Sequence, residues 1–106
     1  MVQKSFKTSK KIKEKIYKKM HQEKNQGEVM YYKRYIVELI MENIVNGEYK
    51  KLDVSSTEIG RLGTSSTSLE IKKEQWERIQ VVLDILHRNF NDYVNMVLAY
   101  EARGIQ

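Results

Sequence analysis

Two short segments of this chain alternate polar and apolar residues as strands do, and neither can be a stable strand by itself. They are Gln3–Thr8 (QKSFKT) and Ser66–Ile71 (STSLEI), which begin 63 residues apart. Alternation over five or six residues suits a strand with one buried face. A lone strand, however, leaves its backbone N–H and C=O groups without partners. Two in one chain satisfy each other, so the two segments are expected to pair.

Each segment precedes a pair of helical stretches. The first starts after Thr8 or Ser9, either a good N-cap, and carries Ile12, Ile16 and Met20 at fourfold spacing before Asn25, Gln26 and Gly27 end it. The second runs from about Met30 to Val45 with Tyr32, Tyr35, Ile36, Leu39, Ile40 and Ile44 on a broad apolar stripe, and Asn46-Gly47 stops it. The third spans about Lys73–Arg88 with Trp76, Ile79, Val82, Leu83 and Leu86 in phase. Asn91 reads as the N-cap of a fourth, from Asp92 to about Ala102, which presents Tyr93, Met96, Val97 and Tyr100 and closes at Gly104. Between the pairs, residues 47–65 are polar, hold three glycines and lack sustained periodicity. Ser55 and Glu58 have capping-box spacing there, enough for one short turn ending at Gly60.

The chain therefore reads as strand-helix-helix twice: a first unit over 1–46, a linker over 47–65 and a second unit over 66–106. Units of about 45 residues rarely bury enough apolar surface to fold alone, which argues for one shared core. Nineteen linker residues reach at most roughly 60 Å, so the connection sets no limit.

Charge is distributed unevenly. Residues 1–20 hold eight lysines against Glu14 alone, a local +7, which leaves residues 21–106 at −2 of the total +5. Such one-ended basicity favours a polyanionic partner, although a solvated lysine face gives the same composition. The chain has no cysteine, so disulfides, thiolate catalysis and cysteine zinc sites drop out together. No run of 18 apolar residues and no secretory leader is visible, and the expectation is a cytoplasmic protein without a membrane role.

Strand-helix-helix at these lengths resembles the ribbon-helix-helix superfamily of DNA-binding proteins, the Arc, CopG and MetJ type. The likeness is best over 66–104, where Leu69 and Ile71 resemble the inward strand residues and Trp76 and Ile79 the first-helix core. Asn89-Phe90-Asn91-Asp92 stands where the family has its turn between helices, and Met96 with Tyr100 where it has its second-helix core. Phe6, Ile12, Ile16 and Met20 match in the first half, where the stretch Asn25–Tyr31 between the helices is a few residues long for the family. The resemblance implies a mainly α fold with a short two-stranded antiparallel β-ribbon. Two copies in tandem would form an intramolecular pseudo-dimer, similar to the TraY type of conjugation protein.

It further implies double-stranded DNA as partner, with the ribbon in the major groove. If Phe6, Leu69 and Ile71 face inward, then Gln3, Ser5 and Lys7 on one strand and Ser66, Ser68 and Glu70 on the other face outward as base-contacting residues. Gln suits adenine, Lys guanine, Ser several bases, and Glu accepts from cytosine N4. Unlike halves imply an asymmetric or imperfectly palindromic site. In the family the N-terminus of the second helix meets a phosphate, where the helix dipole and free N–H groups favour an anion. This places Asn91 with Asp92 there in the second unit and Met30 to Lys33 in the first. Asp92 opposes a phosphate, so the first unit is expected to grip better. Lys10, Lys11, Lys13, Lys33 and Asn91 are the phosphate-contact candidates, and further copies of the chain are expected on repeated sites.

The remaining chemistry is bland. Trp76 and the seven tyrosines sit mostly at core spacing. His21 and His87 stand alone, without a second ligand at metal spacing, so no metal or cofactor is expected. No P-loop, dinucleotide fingerprint, nucleophile elbow or zincin motif occurs, and no small-molecule substrate or catalysis is anticipated. The implied roles are a plasmid or mobile-element transcriptional regulator or a transfer-origin (relaxosome) accessory protein. The alternative is a protein-interaction module such as an antitoxin; RNA binding lacks an exposed aromatic platform.

Overall fold

A computed structural model describes residues 1–23, 32–52 and 65–103. Among them it shows two strands and four α-helices in the order β1 (Val2–Thr8), α1 (Lys10–Glu23), α2 (Tyr32–Val45), β2 (Ser65–Ile71), α3 (Lys73–Leu86) and α4 (Phe90–Glu101), with a 3-10 turn at Glu48–Lys51 after α2. Positions 25–31, the turn at Ser55–Glu58, Gly60 and the close at Gly104 lie outside the described residues. No helix among the described residues is long and apolar enough to cross a membrane.

β1 and β2 form a two-stranded antiparallel sheet. Ser5 stands opposite Ser68 at its centre, Gln3 opposite Glu70 at one end and Lys7 opposite Ser66 at the other. The inward face is Phe6, Thr8, Thr67, Leu69 and Ile71, all buried. A slip of one residue would put Phe6, Leu69 and Ile71 in water, at about 1.5–3 kcal/mol each, so burial fixes the register.

Helix boundaries follow local chemistry. Ser9 caps α1, its Oγ accepting from the Ile12 N–H at 3.2 Å. Gly47 ends α2 in the left-handed region at φ 69°, which a side chain rarely tolerates. α3 opens at Lys72, whose N–H donates to Gln75 Oε1 at 3.1 Å, and stops where His87 turns left-handed at φ 55°. The α4 cap is Asn89, whose Oδ1 accepts from the Asp92 N–H at 2.8 Å. This corrects Asn91 as the cap: the helix starts two residues early so that Phe90 is buried in its first turn. α3 also ends before the Arg88 expected for it, and each strand begins one residue sooner than the alternation indicated.

The elements cross over as they pack. β1 lies against α4 and β2 against α2, so β1 rests on the last helix of the chain and β2 on a helix that precedes it. α2 touches α3 and α4, and α1 touches α2 and α4. One apolar core results, running from Phe6, Ile16 and Met20 through Tyr35, Ile36 and Ile40 to Leu69, Ile79, Tyr93 and Val97. Displacements along the sequence are regular. Val2 to Ser65 and Lys10 to Lys73 are both 63 residues, and Tyr32 to Phe90 is 58. With the last offset the buried pairs Tyr35/Tyr93, Ile36/Val94, Leu39/Val97 and Ile40/Leu98 coincide.

Candidate nucleic-acid interface

The outer face of the sheet carries Gln3, Ser5, Lys7, Ser66, Ser68 and Glu70, all exposed. These are the six residues that alternation places outward, and pairing gathers them into one polar surface with Ser5 and Ser68 in the middle. The ends differ: Lys7 and Ser66 at one, Gln3 and Glu70 at the other. Such a face offers donors and acceptors on a narrow ridge, backed by a buried apolar face.

Beside the ridge, a cavity of about 250 Å³ is lined by Lys13, Tyr17, Tyr32, Lys33, Ser66 and Ser68, among others. It joins α1, the start of α2 as described, and β2. Lys13 is half-buried here: its Nζ donates to Ser65 Oγ at 3.1 Å and lies 5.4 Å from the centre of the Tyr32 ring. Tyr17 stacks on Tyr32 at 4.5 Å between centroids, forming the aromatic wall. Burial, with the neighbouring Tyr17, pushes the Tyr32 phenol up to about 12, so it stays a neutral wall. Two ammonium groups and two serine hydroxyls around a small cavity can hold an anion.

Of the five cations and amides expected at a phosphate, Lys13 and Lys33 share this cavity. Lys10 and Lys11 are exposed on the first turn of α1 and do not line it. Asn91 is engaged elsewhere: its Oδ1 accepts from the backbone N–H of Lys7 at 2.7 Å. Asn95, fully buried one turn later, donates from Nδ2 to the Lys7 carbonyl and to the Asn91 carbonyl, both at 2.8 Å. Both backbone groups of Lys7 are therefore held by α4. The positions before Tyr32 expected at the same anion, Met30 and Tyr31, lie outside the described residues.

Sequence reasoning missed four contributors. Lys4 points inward but keeps its charge 4.6 Å from the centre of the Trp76 ring, a cation–π contact that makes the half-buried position tolerable. Asn95 was hidden among apolar neighbours, and a lone amide inside the run VNMVL was the signal available. Arg34 and Lys72 border an open cavity of about 770 Å³ at the Gln3/Glu70 end, together with Gln3, Ser68, Glu70 and Val37. Trp76 packs edge-on against Phe90 at 5.6 Å and belongs to the core margin. Among the described residues no group of three His, Cys, Asp or Glu could hold a metal ion. Comparison with protein families, with curated proteins and with solved structures gives no match for this chain.

Proposed function

We propose that this chain binds double-stranded DNA sequence-specifically, laying the outer face of its β-ribbon in the major groove. The observation that carries the reading is the single ridge of Gln3, Ser5, Lys7, Ser66, Ser68 and Glu70 on a sheet whose other face is buried. A two-stranded ribbon fits the major groove, where all four base pairs present different donor and acceptor patterns. In this reading the cavity beside the ridge, lined by Lys13 and Lys33, takes a flanking phosphate and supplies sequence-independent attraction.

The same reading treats the molecule as two ribbon-helix-helix units in tandem, an intramolecular pseudo-dimer. The 63-residue displacement shared by both strands and both following helices supports it, as does the packing of each strand on the other unit's second helix. Between Glu23 and Tyr32 the displacement changes from 63 to 58 residues. In this view the protein is a cytoplasmic regulator or transfer-origin accessory factor of a mobile element, and uses no cofactor and no catalysis.

The experiment is a gel shift with DNA fragments surrounding the protein's own coding region, in excess competitor and at two salt concentrations. A discrete shift on one fragment that weakens with salt is expected. Shifts on every fragment that vanish together would reduce the protein to a basic non-specific binder. No shift at all would move the assignment to a protein partner, as in an antitoxin.

A further inference from the structure

The two ends of the ribbon are built differently. Bonding of the Lys7 N–H and C=O to Asn91 and Asn95 means that both groups point away from β2. In an antiparallel pair the residues that bond across the ladder alternate with those that do not. On β2, therefore, the backbone groups of Ser66, Ser68 and Glu70 point away from β1. The position related to Lys7 by the 63-residue displacement is Glu70, and the positions related to Asn91 and Asn95 by the 58-residue displacement are Lys33 and Val37. Neither can repeat the clamp. Lysine has no acceptor for a backbone N–H, and valine has no donor for a carbonyl. In place of a clamp, an open cavity of about 770 Å³ separates the Glu70 end from α2.

Resting on the DNA-binding reading above, we infer that the ribbon has two unlike reading ends and binds an asymmetric duplex in one direction only. The Lys7 end is pre-set by Asn91 and Asn95 and reads guanine. The Gln3/Glu70 end is unclamped and reads adenine and cytosine. The chemistry follows the base edges: an ammonium donates to guanine O6 and N7, an amide pairs with adenine, and a carboxylate accepts from cytosine N4. Lys33, Arg34 and Lys72 border the same cavity alongside Glu38 and Glu42, and the three cations offset part of the repulsion between the Glu70 carboxylate and phosphates. Asn91 and Asn95 are positioning residues, since they act on DNA only by fixing the strand that carries Lys7. A reader whose backbone is already held loses less freedom on binding, so discrimination should be sharper at its end.

The test is selection of binding sites from a random duplex library by the full chain, followed by affinities for single-base variants of the selected site. The wild type should select a site without dyad symmetry. Lys7→Ala should cut discrimination for guanine at one end by roughly 5- to 150-fold, the range of one good base contact. Asn95→Val, which installs the residue of the equivalent position, should relax the same end by a smaller factor and leave the other untouched. Glu70→Gln should change preference at the opposite end only. Loss of stability alone would lower affinity for every sequence alike, so a one-ended change separates positioning from folding. If Asn95→Val fails to fold by circular dichroism, Asn91→Ala, at a half-exposed position, carries the same expectation. A perfectly palindromic preference would overturn the inference, as would relaxation of both ends alike by Asn95→Val. Enrichment of no duplex sequence by the wild type would instead overturn the DNA-binding reading itself.

Discussion

Tyr93 and Asn43, fifty residues apart on α4 and α2, meet inside the core, where the phenol donates to Asn43 Oδ1 at 2.8 Å. Burial, with Tyr49 nearby, raises the Tyr93 phenol far above its ordinary value, so it remains a donor at any ordinary pH. Asn43 Nδ2 is buried without a partner, which makes the pair costly to keep and more costly to halve. Asn43→Leu should destabilise by about 1–3 kcal/mol through the orphaned phenol. Adding Tyr93→Phe should recover part of that loss. Urea midpoints at unchanged m-value measure both, and additive losses would contradict the coupling.

Alkaline pH should weaken the fold. In the unfolded chain Tyr32 ionises near the ordinary phenol value of 10.0, but in the fold only near about 12. Between those values the unfolded state has released a proton that the folded state keeps, so stability is complete below pH 10 and falls as pH rises. The slope is about 1.4 kcal/mol per pH unit for each tyrosine so shifted. Urea titrations at pH 9, 10 and 11 test this, with Tyr32→Phe expected to flatten the fall.

Much of this arrangement is legible in the sequence because period-two alternation is coupled to burial. Phe6, Leu69 and Ile71 dictate the inner face, and the outer six residues follow. Gly47 is equally readable as a helix stop. The α4 cap is not, because Asn89 and Asn91 are equally good caps and only the burial of Phe90 separates them. The cavity beside the ridge is half legible: lysines announce themselves, but pairing Lys13 with Ser65, 52 residues away, requires the tertiary fold. Lys4 and Asn95 violate the local pattern, and their partners Trp76 and Lys7 are equally remote.

Neither half should fold by itself. Polypeptides 1–46 and 66–106 each contain one strand, and each strand's hydrogen-bonding and packing partners lie in the other half. Circular dichroism should show little cooperative melting for either alone, and mixing them should restore helicity. Independent folding of either as a monomer would contradict the shared core.

Phosphate contact should be separable from base reading. Lys13→Ala and Lys33→Ala should each lower the slope of log affinity against log salt by about 0.9 while leaving sequence preference unchanged. Fluorescence anisotropy across a salt series reads the slope. Lys10 and Lys11, outside the cavity, should matter less.

The central claim is that the exposed ridge of the ribbon reads base edges. Its most direct test is the ratio of specific to non-specific duplex affinity for a variant with Gln3, Ser5, Lys7, Ser66 and Ser68 all changed to alanine. These side chains face away from the core, so the fold and its melting should persist. The account predicts that the ratio collapses toward one while weak, salt-dependent binding survives. A ratio equal to that of the wild type would contradict it.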